Sequence, residues 1–331
     1  MSQHMQPLDA IFLHGSRSRG FSLIELMVGI SIGLFIVYFI LQGFTSASIA
    51  SRNNSSSSEA MTNARYAMEF LKREIRHASS PRLLSSEGVV RNDTDPAFPL
   101  KDFGCGAGIV LLDQPIRGFT SKPYSCLSNG TSTYSVGDVL VLSRPSLQAA
   151  ATDRSTSTYV ANAPYVRLSY KLANPFVATA SGPPTGFPDN PPWYDHALVN
   201  DIYFINSFTV SASEIPLVPS LCRLTLTTIN GVTSLQREVI ASNIENFIFQ
   251  IGVQSTSDGS IQYKRDTTGV VWGSYIPVSV RFWLLARESE PEPGVPDSAL
   301  SYTLGPVSYT PSSVTRYRRT VYSTTVALRS N

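Results

Sequence analysis

The chain has 331 residues, a formal charge of +2, three cysteines and four histidines. That length admits one large domain or two smaller ones, and so small a net charge supplies no basic face for nucleic acid. Neither Cys105, Cys126 and Cys222 nor His4, His14, His77 and His196 fall at metal-ligand spacing, so no metal or other cofactor is expected.

Hydrophobic residues make up 42% and charged residues 15% of the chain, so a core can form while the surface leans on Ser, Thr and Asn. The 22 prolines and 21 glycines suit a loop-rich β protein rather than a disordered chain. The first predicted element is an apolar helix over Phe21–Phe44, preceded by Arg17, Arg19 and Gly20. At about 1.5 Å per residue it is on the order of 36 Å long, enough to cross a bilayer. No small-residue cleavage site of the A-x-A kind follows it, so the apolar run is read as retained and the basic segment before it as separable. The arginines belong on the cytoplasmic side, which sends the C-terminal bulk across the membrane.

Glu25 is the costly residue of this helix. A carboxylate at the centre of a membrane helix costs about 2.5–3.5 kcal/mol, and less near the end. Glu25 either snorkels to the headgroups or takes a cationic partner. A cut before Phe21 would create an α-amino group four residues from it. Gly29-Ile30-Ser31-Ile32-Gly33 fits G-x-S-x-G, but a nucleophile elbow needs a strand before the serine and a helix after it. Inside an uninterrupted apolar helix the motif does not define a hydrolase, and the same glycines fit the G-x-x-x-G close-packing motif.

Residues 45–58 are rich in Ser, Asn and Ala, and Asn53–Ser58 is a poor helix former expected to act as a joint. Helical periodicity returns at Met61, Ala64, Met68, Leu71 and Ile75, which share one face. Glu69 and Arg73 stand at i,i+4 on another. The helix is predicted to end near Ser79, because Pro81 disfavours helical geometry at Ser80.

From residue 82 onward the pattern predicts strands and turns. Strands are expected at Val136–Leu142, Ile202–Val210 and Cys222–Ile229, then across the Asn230-Gly231 hairpin at Leu235–Ile240. Further strands are expected around Ile244–Ile251, Val278–Leu284 and Tyr317–Leu328. The proline-rich stretches at 183–192 and 291–296 read as loops. Asp258 and Asp266 beside Gly259 suit turn chemistry, with a calcium loop as the alternative. Cys105 and Cys126 bracket a 20-residue loop whose closure in an oxidising compartment would stabilise by about 3 kcal/mol. Cys222 sits in an alternating strand and reads as a small buried side chain, though a Cys126–Cys222 pairing stays open.

The string Arg19-Gly20-Phe21-Ser22-Leu23-Ile24-Glu25-Leu26 resembles the class III signal of type IV prepilins and pseudopilins. The resemblance implies cleavage between Gly20 and Phe21 by a membrane aspartyl peptidase, with N-methylation of Phe21. It also makes Glu25 the acidic residue of the fifth mature position, able to pair in a filament with a neighbour's α-amino group. Shorter pieces in order along the chain are similar to the PilW family of minor pilins. They include Ala64-Arg65, Glu74-Ile75-Arg76, Phe103-Gly104-Cys105, Val136-Gly137-Asp138-Val139-Leu140, Ile244-Glu245-Asn246-Phe247, Tyr317-Arg318-Arg319 and Thr325-Val326-Ala327-Leu328-Arg329.

The expected organisation is a leader at 1–20, a transmembrane and assembly helix at 21–44, an amphipathic continuation at 45–80 and a periplasmic β-rich domain at 81–331. The fold class is α+β and pilin-like, a long N-terminal helix packed on a mostly antiparallel sheet. The resemblance implies an inner-membrane minor pilin of the priming or tip complex. Its implied partners are the prepilin peptidase, other major and minor pilins, the inner-membrane assembly platform and a tip adhesin. A pseudopilin of a type II secretion system is the alternative, separable by whether loss abolishes twitching or DNA uptake, or instead exoprotein secretion. An enzyme is not expected, since the chain has no phosphate loop, no H-E-x-x-H and no Ser/His/Asp set.

Overall fold

The computed structural model describes residues 20–78, 103–106, 108–112, 114–128, 132–154, 159–169, 173–187, 189, 191–292, 300–311 and 316–328. The leader arginines, Pro81 and most of the 291–296 proline stretch lie outside them. The chain divides into two compact units, Met1–Asn53 and Asn54–Asn331.

The one α-helix among the described residues, α1, is Leu23–Ala78. The run expected to form a joint, Asn53–Ser58, is helical. Weak propensity there is offset by hydrogen bonding: the hydroxyl of Ser56 lies 3.0 Å from that of Ser289 and accepts the Ser289 N–H at 3.0 Å. The buried face keeps Ala64, Met68, Leu71 and Ile75 of the expected set and adds Ala60, Ala67, Phe70 and Ala78, while Met61 is 40% exposed. Alanines let the helix backbone approach the sheets closely, while the longer Met61 turns outward. Glu69 pairs with Lys72 at 2.7 Å rather than with Arg73, whose guanidinium lies over the Phe70 ring.

Thirteen strands follow among the described residues. They are β1 Ile116–Phe119, β2 Val139–Thr152, β3 Pro164–Leu168, β4 Ala173–Val177, β5 Tyr194–Asn206, β6 Ser220–Ile229 and β7 Val232–Ser242. Then come β8 Ile244–Ser255, β9 Ile261–Lys264, β10 Tyr275–Arg287, β11 Tyr302–Leu304, β12 Val307–Tyr309 and β13 Arg319–Ala327. Every ladder pairing is antiparallel. Strands β1 to β7 make one sheet, β13-β10-β8-β9 a second, and β11-β12 a hairpin. In the first sheet β2 occupies one edge of β5, while β3 and β6 share the other, β3 against Tyr194–Ala197 and β6 against Asp201–Asn206.

Period-two alternation divides the core. Leu140, Leu142, Tyr203 and Ile205 join the helix face and the inward residues Phe247, Phe249, Ile251, Val280, Phe282 and Leu284 of the second sheet. Val139, Val141, Ile202, Phe204 and Cys222 point the other way, into a cluster with Ile109, Leu112 and Leu127. The Asn230-Gly231 turn joins β6 to β7 with φ of 51° and 76°, the left-handed pair that a two-residue hairpin loop requires. The strand expected from Val136 begins only at Val139, because Gly137 has φ of 92° and a Cβ there would meet the Phe247 carbonyl oxygen at 2.6 Å. The turn aims Asp138 at Arg265 (2.6 Å) and at the Phe249 N–H (3.1 Å), which clasps the two sheets together.

Candidate processing and assembly site

The two residues expected to flank the cleavage stand ahead of the helix, with Gly20 and Phe21 both exposed and Phe21 at 85%. Ser22 is the N-cap. Its carbonyl accepts the Leu26 N–H at 3.1 Å, the first bond of the helical ladder. Glu25 folds back so that Oε2 accepts the Ser22 N–H at 3.3 Å. This is half of a capping box, in which a carboxylate three residues in satisfies a backbone donor that the helix end leaves orphaned. It also places negative charge against the positive end of the helix dipole, an effect of about 0.3–1 kcal/mol. The sequence reading gives Glu25 a membrane cost and an assembly role but not this cap, which Ser22-x-x-Glu25 spells out.

Beyond the cap, the apolar side chains have no core to enter. Leu26, Val28, Ile32, Leu34, Phe35 and Ile40 are all more than half exposed. The helix is long and apolar enough to cross a membrane by length and composition. Gly29 and Gly33 have open space around them, and Ser31 satisfies its hydroxyl on the Val28 carbonyl at 2.9 Å.

In the unit that begins at Asn54, buried charge ties the helix to the sheet. Glu74 Oε2 accepts from Arg144 of β2 at 2.7 Å, both side chains largely buried. Beside them Asp201 of β5 lies 3.6 Å from Arg223, which pairs with Glu238 at 2.5 Å. Burial pushes the Asp201 carboxyl up, against hydrogen bonding from Thr225 and the pull of Arg223 and Arg144. Burial likewise drives the neighbouring Tyr203 hydroxyl well above its ordinary range, helped by the charges of Asp201 and Glu74.

Cys105 and Cys126 are joined by a disulfide, and Cys222 is a buried free thiol pushed up by that burial. Asp258 accepts from the Ser260 N–H and hydroxyl, and Asp266 from the Thr268 N–H. Those contacts are the turn chemistry of their loops.

A charged cap, two exposed residues ahead of it, an exposed apolar helix and an antiparallel β domain together define a type IV pilin-like protein. Two family models match. Residues 15–37 fit the prokaryotic N-terminal methylation motif, and residues 202–330, from β5 through the last strand, fit type IV pilus-assembly protein W. With both matches the chain is a type IV minor pilin, similar over residues 202–330 to the PilW family of pilus-assembly proteins. Neither the curated proteins nor the solved structures gave a match.

Proposed function

We propose that this minor pilin enters the inner membrane through Phe21–Phe44 with its β domain in the periplasm. At the cytoplasmic face of that membrane it loses residues 1–20 to the prepilin peptidase, is N-methylated at Phe21, and then joins the priming or tip complex of the pilus. The chain left after removal of the leader is long for a major pilin, which favours a low-copy position. The observation that carries the reading is the arrangement around the helix start. Gly20 and Phe21 stand outside the capped first turn, where an extended substrate segment is available to a peptidase.

The carboxylate of Glu25 has a part to play after cleavage. Its cap uses Oε2, and Oε1 makes no hydrogen bond among the described residues. An ionised carboxylate accepts on both oxygens, so the same side chain holds its own helix end and receives the α-ammonium of an incoming neighbour's Phe21. In hydrocarbon an unmatched charge is costly, which makes the axial register with a paired Glu25 the favoured one.

Mass spectrometry of the N-terminus of the mature chain tests this reading. The expected species begins at N-methylated Phe21. A chain retaining Met1, or cut beyond residue 40, overturns it.

A further inference from the structure

Far along the β domain from the helix contacts, register builds a row of side chains across four strands: Asn174 of β4, Arg167 of β3, Asp195 of β5 and Ala151 of β2. Residues opposite one another on neighbouring strands share a face. Arg167 Nε donates to Asp195 Oδ1 at 2.7 Å and its terminal nitrogen to Oδ2 at 2.8 Å, a bidentate pair with the carboxylate fully buried. The Tyr159 hydroxyl donates to the same Oδ2 at 2.6 Å. The guanidinium stacks on Trp193, 3.7 Å from the ring centroid, and lies 5.2 Å from that of Phe187.

Over this floor opens a cavity of about 400 Å³ walled by the rings of Tyr159, Phe187 and Trp193 and by Pro183 and Pro184. Asp189 stands at its rim, 70% exposed and 3.9 Å from Arg167, with its carboxylate accepting the Trp193 indole N–H. Nothing in the assembly reading uses this feature. The rings are rigid, the polar groups are held, and the whole lies on sheet rather than on an isolated loop, as ligand sites commonly do.

The chemistry narrows the occupant. The cation seat between Trp193 and Phe187 is already filled by Arg167, so the rings do not form an open cage for a second cation. Arg167 is neutralised by Asp195, and the exposed Asp189 carboxylate repels an anion. A wholly apolar guest would make no use of the exposed Asp189 carboxylate and Ser181 hydroxyl, which also line the cavity. What remains is a neutral ring with an apolar face to lie on aromatic carbon and hydroxyls at its edge. We propose that this cavity binds the hexopyranose ring of a carbohydrate, with the ring walls of Tyr159, Phe187 and Trp193 as its apolar contact and Asp189 and Ser181 as hydroxyl partners.

The test is ligand-observed saturation-transfer NMR on the full mature chain in lauryldimethylamine oxide, a detergent without a sugar headgroup. The probes are mannose, galactose, N-acetylglucosamine and N-acetylgalactosamine. Saturation passing from protein aromatic protons to the ring C–H protons of at least one of them is expected. Asp189→Ala, at an exposed position, is expected to weaken that binding at least about tenfold, and Trp193→Ala to abolish it. Should Trp193→Ala fail to fold, Asp189→Ala alone decides. No transfer to any of the four sugars, transfer unchanged in Asp189→Ala, or transfer only to a proline-rich peptide used as control each overturns the proposal.

Discussion

Helix α1 holds two kinds of apolar surface. Before Asn53 it carries Leu, Ile, Val and Phe, more than half exposed from Leu23 to Phe44. From Ala60 to Ala78 its inward face sets Ala60, Ala64, Ala67 and Ala78 among Met68, Phe70, Leu71 and Ile75, all of them buried. Large side chains without protein neighbours suit a medium made of hydrocarbon, where bulk contributes to partition. Small ones suit a fixed partner, where backbone proximity and jigsaw fit count for more. Hydrophobicity alone therefore does not tell anchor from core; alanines spaced among the large residues mark the packed face.

The sharpest way to break this comparison is at the buried charge. Glu74→Ala strands Arg144 in the interior, and a loss of about 3–5 kcal/mol in denaturant unfolding of the β domain is expected. Next comes a matched pair. Leu71→Ala is expected to cost about 2–5 kcal/mol in the same transition, while Leu34→Ala, 65% exposed, shifts it by less than about 0.5 kcal/mol. Equal effects from the two leucines would erase the distinction between anchor and core. The smallest effect is at the cap. Glu25→Ala removes the carboxylate that caps the Ser22 N–H and is expected to weaken the first turn by about 1 kcal/mol, seen as roughly fivefold faster amide exchange in that turn with domain unfolding unchanged.

The parts of this fold legible in sequence are those written in local pattern. The apolar run, the Asn230-Gly231 turn and the alternation of Phe247, Phe249 and Ile251 each declare themselves within a few residues. The strands and strand extensions not expected from the sequence lack such a pattern. β1 is four residues with the buried Arg117 among them, β4 contains Pro175, and β2 continues through Pro145 only by shifting register before Ala149. β9, β11 and β12 are three or four residues long, too short for a period to show. The buried ion pairs were illegible for another reason. Alternation reads a charge as outward-facing, and Glu74 finds Arg144 across 70 positions, Asp195 finds Arg167 across 28. At the helix start the reverse holds: the cap is written in four consecutive residues, Ser22 to Glu25.

The shared edge of β5 gives the domain a division of labour. Its second half, against β6, frames the packing around the helix; its first half, against β3, carries a unit whose rings Tyr165, Phe176, Tyr159 and Phe187 form a cluster of their own. One strand thus serves as a rail with two tenants. The outer tenant can be resurfaced, lengthened or exchanged with little propagated to the residues that seat the helix. A domain built this way is free to change the surface over β3 and β4 while keeping constant the one that seats the helix.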